Sequence, residues 1–360
     1  MATPRKQITS PTRKCTSPRR TGTASRRRMN RKTPSCSVMY LVRRGLIRIF
    51  AISILLLLIV IAIVVSGVSY FVIYEGLRPS QRDLDETYGY MYSDYPFLRP
   101  WMKDLDKRHA MRDTLIYSPD SVRLHAYIIP ADKPTPNTAV VIHGHRCCAI
   151  DMLHIAYMYS HDMHFNVLLP ELRAHGQSEG THEQMGWLDR KDVLLWMNVA
   201  NTMFGGKTRM VVHGISMGAA TTMMVAGEMP QPDYVKCYVE DCGYTDVWNE
   251  FSYVSRHDYH IAPFPFINIA SRMCKWKYGW DFREASAINQ VRKSIKPMMF
   301  IHGMNDTYVP SYMVNQLYSA KSKDKTIWTK LGVIHARMYH DYPKEYTNEV
   351  SQFVNMWFYK

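Results

Sequence analysis

The chain has 360 residues, 46% hydrophobic and 21% charged, enough for one large folded domain plus extra segments, which excludes a wholly disordered protein. Its formal charge of +14 is unevenly placed: the first 48 residues hold 14 Lys and Arg and no acid, leaving 31 basic against 31 acidic residues elsewhere. A basic tail on a neutral body points to membrane orientation, not to a nucleic-acid partner.

Residues 1–48 form that tail, expected to be disordered and cytoplasmic. Up to residue 38 it is rich in Arg, Ser, Thr and Pro and has too little apolar surface to offset ordering. Met29 and Met39 are alternative starts. Ile49 to Tyr74 carries no charge, and such a run is long enough to span a bilayer as a helix. Arg43, Arg44 and Arg48 precede it, and Tyr70, Phe71 and Tyr74 close it as interfacial aromatics. The positive-inside rule puts everything after Glu75 on the outer face, as in a signal-anchored protein of a bacterial inner membrane. A cleaved signal peptide is the other reading, but the run is long and no A-x-A site follows it.

Residues 75–112 read as a polar, Tyr-rich connector. From residue 113 to 360, strand and helix signals alternate. Asp113–Tyr117 and Val122–Ile129 flank a Ser-Pro-Asp turn and predict a hairpin. Short apolar runs at Ala139–Ile142, Val167–Leu169, Met210–Val212, Val235–Val239 and Met298–Ile301 predict buried parallel strands. Leu188, Leu195, Val199 and Phe204 predict one helical stripe, and Tyr346, Val350, Phe353, Val354 and Trp357 another. The fold class is therefore α/β, a mostly parallel central sheet flanked by helices. The cysteines Cys15, Cys36, Cys147, Cys148, Cys237, Cys242 and Cys274 show no CxxC and no framework; a Cys237–Cys242 disulfide stays open in an oxidising compartment.

The chemistry sits at the ends of those strands. Gly214-Ile215-Ser216-Met217-Gly218 lies between a strand run and a helix-like run. A sharp strand-to-helix turn there exposes a serine hydroxyl at the sheet edge, so Ser216 is the candidate nucleophile. A serine needs a base, and the base an orienting acid. Asp306, in the loop after Phe300-Ile301-His302-Gly303, is the candidate acid, with Asp241 as rival. His335, after Thr326–Lys330, is the candidate base, with His340 as rival. His143-Gly144-His145 follows the first long strand run, so the main-chain amides of His145 and Met217 are the candidate oxyanion hole. His143, His145, Cys147 and Cys148 crowd together but match no standard zinc spacing. No metal or cofactor is implied.

These motifs together resemble the α/β-hydrolase superfamily over roughly residues 110–360, and in particular bacterial membrane-anchored serine hydrolases of esterase and peptidase-like type. The run Leu169 to Gly180 looks like that family's D-x-R-G-H-G-x-S loop, with Glu171 for the usual Asp and Ala174 for the usual Gly. The resemblance implies a structural role for this loop and for His175. It also implies a lid, placed here at Tyr244–Ala287, whose aromatics Trp248, Phe251, Tyr253, Tyr259, Phe264, Phe266, Trp276, Trp280 and Phe282 either line an acyl pocket or pack on the sheet. The function expected is a serine hydrolase acting on small-molecule or lipid esters. An acyltransferase or a serine peptidase would use the same triad, and a membrane-tethered binding protein without activity is the third reading.

Overall fold

The structure, a computed structural model, describes residues 36–80 and 82–360. Most of the expected disordered tail lies outside the described residues. The chain divides into two compact units, Met1–Ile59 and Val60–Lys360.

The described part of the first unit belongs to the helix α1 (Cys36–Leu77), in which Arg44 lies over the Tyr40 ring. Residues 36–48 are thus helical and do not belong to an irregular tail. Leu41, Val42, Leu46 and Ile47 interleave with the arginines, and each added residue of a formed helix gains a backbone hydrogen bond. Ser37–Leu77 is long and apolar enough to cross a membrane.

The second unit begins with the remainder of α1. The connector after it folds into α2 (Leu84–Asp94), capped by Asp83, and α3 (Leu98–Arg108). The sheet follows, with β1 (Arg112–Tyr117), β2 (Arg123–Ile129), β3 (Asn137–Ile142), β4 (Asn166–Pro170), β5 (Arg209–Ile215), β6 (Val235–Asp241), β7 (Met298–Gly303) and β8 (Lys325–Lys330). Their spatial order is β1-β2-β4-β3-β5-β6-β7-β8. β1 and β2 form the predicted hairpin, β2 pairs antiparallel with β4, and every pair from β4 to β8 is parallel. The crossovers carry α4 (Leu153–Tyr157), α5 (Asp189–Met203), α6 (Met217–Ala226), α7 (Val247–His257), α8 (Pro263–Tyr278), α9 (Ala287–Lys293) and α10 (Tyr312–Ala320), and α11 (Met338–Asp341) and α12 (Pro343–Phe358) follow β8.

Both faces of the sheet are covered, which is why the parallel strands read as continuous apolar runs. Side chains alternate between two cores. Val140, Val212 and Phe300 face a layer with Trp196, Met223 and Leu317. Val141, Val211 and Ile301 face one with Tyr159, Phe353 and Val354. Each such large side chain, fully buried, contributes about 1.5–3 kcal/mol.

Two expectations need correction. The stripe predicted for α5 is rotated: Val193, Trp196, Met197 and Ala200 are the buried face, while Leu188, Leu195, Val199 and Phe204 are only half-buried. Polar residues (Asp189, Arg190, Asp192) are buried at the start of that helix, so hydropathy alone misplaces its inner face. Cys237 and Cys242 are free thiols. Cys237 lies within β6 and Cys242 just past its end, so an extended strand separates them by about 16 Å, well beyond disulfide reach.

Candidate active site

Ser216 stands between the end of β5 and the start of α6 with φ 58° and ψ −119°, the strained turn expected of an exposed nucleophile. The glycines around it are sterically required. A Cβ on Gly214 would press into the Gly218 carbonyl, and one on Gly218 into the Ile142 carbonyl of β3. The Ser216 N–H donates to the Asp241 carbonyl at 2.8 Å, which pins the turn to the end of β6.

The sheet brings the three candidate side chains to one edge. Asp306 follows β7 and His335 follows β8, so both lie beyond the carboxyl ends of parallel strands, where such sheets open a crevice. His335 Nε2 is 2.9 Å from Ser216 Oγ, and His335 Nδ1 is 2.6 Å from Asp306 Oδ2. The other Asp306 oxygen accepts from the Tyr308 and Val309 amides, both at 2.9 Å. Burial alone would raise this carboxyl's pKa, but His302 and His335 outweigh it and hold the pKa down at about 2. His302 itself donates through Nε2 to the Val309 carbonyl at 3.0 Å.

The rivals lie elsewhere. Asp241 accepts from Tyr346 Oη at 2.9 Å, and burial pushes its pKa up to about 6. It belongs to a buried relay in which Tyr346 and Tyr159 flank His213 at 3.0 and 3.1 Å. His340 pairs with Asp341 on α11 and packs edge-on against Tyr95.

The loop His143-Gly144-His145 runs beside Ser216: a Cβ on Gly144 would sit 3.5 Å from Ser216 Cβ. Met217 opens α6, so its N–H is among the four without an intrahelical acceptor, available to a developing oxyanion. The His145 ring donates through Nε2 to the Gly76 carbonyl at 3.2 Å and lies 3.1 Å from the buried Glu183 carboxylate. His143 is occupied on both nitrogens, by the Gly144 carbonyl at 2.8 Å and the Leu172 amide at 3.0 Å. Among the described residues, His143 and His145 do not group with Cys147 and Cys148 at metal-ligand spacing. The grouping among them that has this spacing is Cys242, Asp306 and His335, the last two being the candidate acid and base, hydrogen-bonded to each other.

The Leu169–Gly180 loop is structural. Glu171 accepts from the Gln177 and Ala149 amides and lies 2.9 Å from His125 Nδ1. His175 is buried with Nε2 3.0 Å from Glu183. Ala174 takes φ 63°, a conformation a glycine adopts without cost.

Ser216 lies where two cavities meet. The first, about 770 Å³ with its open mouth, is mainly apolar: Phe71, Val72, Met185, Tyr244, Phe251, Val254, Tyr259 and Ile261 are among its walls. Of the nine predicted lid aromatics, Phe251 and Tyr259 line it; Trp280 and Phe282 are buried in the core. Glu250 also borders it, and burial pushes its carboxyl's pKa well above the ordinary range, which favours the neutral form. The second cavity sets charged groups, Arg82, Asp151 and Arg337, with His154 and His335 into a wall that also holds Met91, Tyr95, Met152 and Ile215.

Sequence reasoning missed three contributors. The end of α1 supplies Phe71, Val72, Glu75 and Gly76 to the pocket wall. Arg146 reaches back to the carbonyl and carboxylate of Glu75, and the Glu183 amide donates to the Leu77 carbonyl at 2.9 Å. Tyr308 packs on the His335 ring at 5.0 Å. Nothing in the local pattern of these residues marks them for the site.

The prolyl oligopeptidase family model matches residues 162–359, a span that contains Ser216, Asp306 and His335. An uncharacterized protein of Bacillus subtilis, YqkD, is 28% identical over 229 residues, 64% of this chain and 74% of that protein. In three dimensions the chain is similar to the Pyrococcus furiosus esterase Pf2001, with TM-score 0.56 and 21% identity, covering 69% of this chain and 93% of that one. It is also similar to a Mycobacterium tuberculosis puromycin-hydrolyzing peptidase, with TM-score 0.53 and 18% identity over 69% of this chain and 39% of that one. These structural likenesses establish the α/β-hydrolase fold.

Proposed function

The chain belongs to the prolyl oligopeptidase family, and on that premise we propose that this serine hydrolase cleaves carboxylic esters through an acyl-enzyme on Ser216. The observation that carries the reading is the continuous contact from Ser216 Oγ through His335 to Asp306. Oγ attacks the ester carbonyl carbon as its proton passes to His335 Nε2. Asp306, ionised at neutral pH, stabilises the resulting imidazolium. The amides of His145 and Met217 receive the oxyanion. The bond from carbon to the leaving oxygen then breaks, and His335 returns the proton to the departing alcohol. Water, deprotonated by the same histidine, attacks the acyl carbon and frees the acid and Ser216.

An ester fits because the two sides of Ser216 differ in their charged groups: the first cavity suits an acyl chain, and the second, bordered by Arg82, Asp151 and Arg337, can pair with hydroxyl or charged groups of an alcohol. The catalytic unit is residues 113–360, with 244–287 covering the site. α1 exposes apolar residues over all its faces through Val64, which favours an apolar solvent around it. We place it across the membrane over Ile49–Tyr74, with the basic end cytoplasmic and the catalytic unit outside.

Labelling the full chain with a fluorophosphonate probe tests the nucleophile. Wild type should label and Ser216→Ala should not; persistent labelling of the variant would place the nucleophile elsewhere. A peptidase is the second reading, favoured by the family description, which names oligopeptidases. Comparing a matched ester and anilide of one acyl group, with and without a competing amine acceptor, separates hydrolysis of esters, hydrolysis of amides and acyl transfer.

A further inference from the structure

The apolar pocket is not closed by the hydrolase core alone. One wall is the last part of α1: Phe71, Val72 and Gly76 line it, while Ile73 and Leu77 of the same turns are buried in the core. Val72 stands about 10 Å along the helix axis from Val65, one of the last residues of the aliphatic run. The rim is an edge-to-face pair, Phe71 with Tyr259, ring centroids 5.7 Å apart, and both residues remain exposed at their outer edges.

α8 lies against the same turn. Ser69 Oγ donates to the Phe266 carbonyl at 3.0 Å, and Lys277 Nζ is 5.8 Å from the Tyr70 ring centroid. Its inner face buries Ile267, Ala270, Ser271 and Cys274. Its outer face exposes Trp276 at 87% beside Arg272; Phe264, 77% exposed, sits at the non-helical start of the helix, Lys275 pairs with Glu284 at 2.6 Å, and Lys277 lies near Tyr70. The helix has no acidic residue. Large exposed aromatics among cations are costly in water and favourable at the boundary between acyl chains and anionic headgroups. The surface is continuous with the point where the membrane-spanning helix enters the domain.

We propose that the substrate is an ester of a bilayer-resident amphiphile, and that the outer face of α8 rests on the membrane so that the acyl chain passes between Phe71 and Tyr259 into the pocket. This rests on the serine hydrolase reading and gives it a substrate class. The polar head then occupies the cavity on the Arg82 and Arg337 side, away from the acyl wall.

The test uses the full chain reconstituted in vesicles of phosphatidylcholine and phosphatidylglycerol. Two umbelliferyl esters are compared, a hexadecanoate dissolved in the bilayer and an acetate dissolved in water. The double variant Phe264→Ser, Trp276→Ser should lower hexadecanoate turnover by about ten-fold or more and leave acetate turnover unchanged. Val72→Trp should lower the ratio of hexadecanoate to acetate turnover to a similar degree by filling the wall. Brominated lipids should quench part of the tryptophan emission, and that part should vanish in Trp276→Phe. Equal quenching of wild type and Trp276→Phe, or equal loss of both esters in the double variant, overturns the proposal. If Ser216 takes up a fluorophosphonate in every variant while those ratios stay flat, the hydrolase reading stands and only the membrane substrate falls. If wild type neither labels nor cleaves either ester, both fall.

Discussion

Asp306 divides its two carboxylate oxygens between two tasks: Oδ2 meets His335 Nδ1 at 2.6 Å, and Oδ1 is held by the amides of Tyr308 and Val309. The backbone fixes the carboxylate, and the carboxylate fixes the ring. Asp306→Asn keeps the shape and removes the charge that holds the proton on Nδ1. We expect kcat to fall by about 10⁴ with the fold unchanged, read from steady-state kinetics beside a circular dichroism spectrum. A loss below about ten-fold would assign the orienting role to another group.

Two glycines near Ser216, Gly218 and Gly144, should respond differently to one added methyl. On Gly218 it meets the Ile142 carbonyl, which belongs to a central strand and cannot retreat. Gly218→Ala should cost about 3 kcal/mol of stability, seen as a lowered Tm. On Gly144 the methyl finds ordinary contact, 3.5 Å from Ser216 Cβ. Gly144→Ala should keep its Tm and lose activity, because the new group stands where substrate must approach.

Glu250 supplies a pH test. Burial is the main cause of its raised pKa, and the carboxylates of Asp306, Asp258 and Asp246 push the same way. Its folded value exceeds the unfolded value of about 4.3, so above that pH the folded state holds the extra proton. The stability this group contributes is complete below about pH 4.3 and is lost as pH rises toward the folded value. Glu250→Gln removes that loss. Thermal melts should show little difference between variant and wild type near pH 4, and a growing advantage for the variant toward pH 8. Glu240 is pushed up in the same direction but remains in both proteins and cancels. A Tm difference constant with pH would mean that Glu250 is ionised in the folded protein.

His145 connects α1 to the loop beside Ser216 through its bond to the Gly76 carbonyl. The catalytic group proposed there is the main-chain amide, so the ring acts only by positioning it. His145→Ala should lower kcat about ten-fold with KM little changed, since the amide is used mainly in the transition state. A rise in KM at constant kcat would indicate a role in ground-state binding instead.

The sheet and its edge were legible because both follow local rules. Buried parallel strands show as short apolar runs, and the order of Ser216, Asp306 and His335 follows the order of β5, β7 and β8. What stayed hidden depends on contacts between distant segments. Phe71 and Val72 look like the close of a membrane run, and nothing in their neighbourhood says that they also face Tyr259 and Ser216 across a pocket. Glu183 sits in an irregular loop between His182 and Gln184, with no period or motif, yet it approaches His145 and His175 together. The inner face of α5 was misjudged because Asp192 is buried there against Arg173, whose guanidinium also binds Asp120. Hydropathy cannot anticipate a charge that is buried because it is paired.

Glu75 and Gly76 hold Arg146 and His145, in the loop beside Ser216, through their own backbone carbonyls, and Leu77 accepts from Glu183, so the end of α1 is built into the walls of the site. A protease cutting before this turn would release the domain and open its pocket in one event. With α1 across a membrane as proposed, such a release would be a form of inactivation, and the range of action would be confined to that membrane.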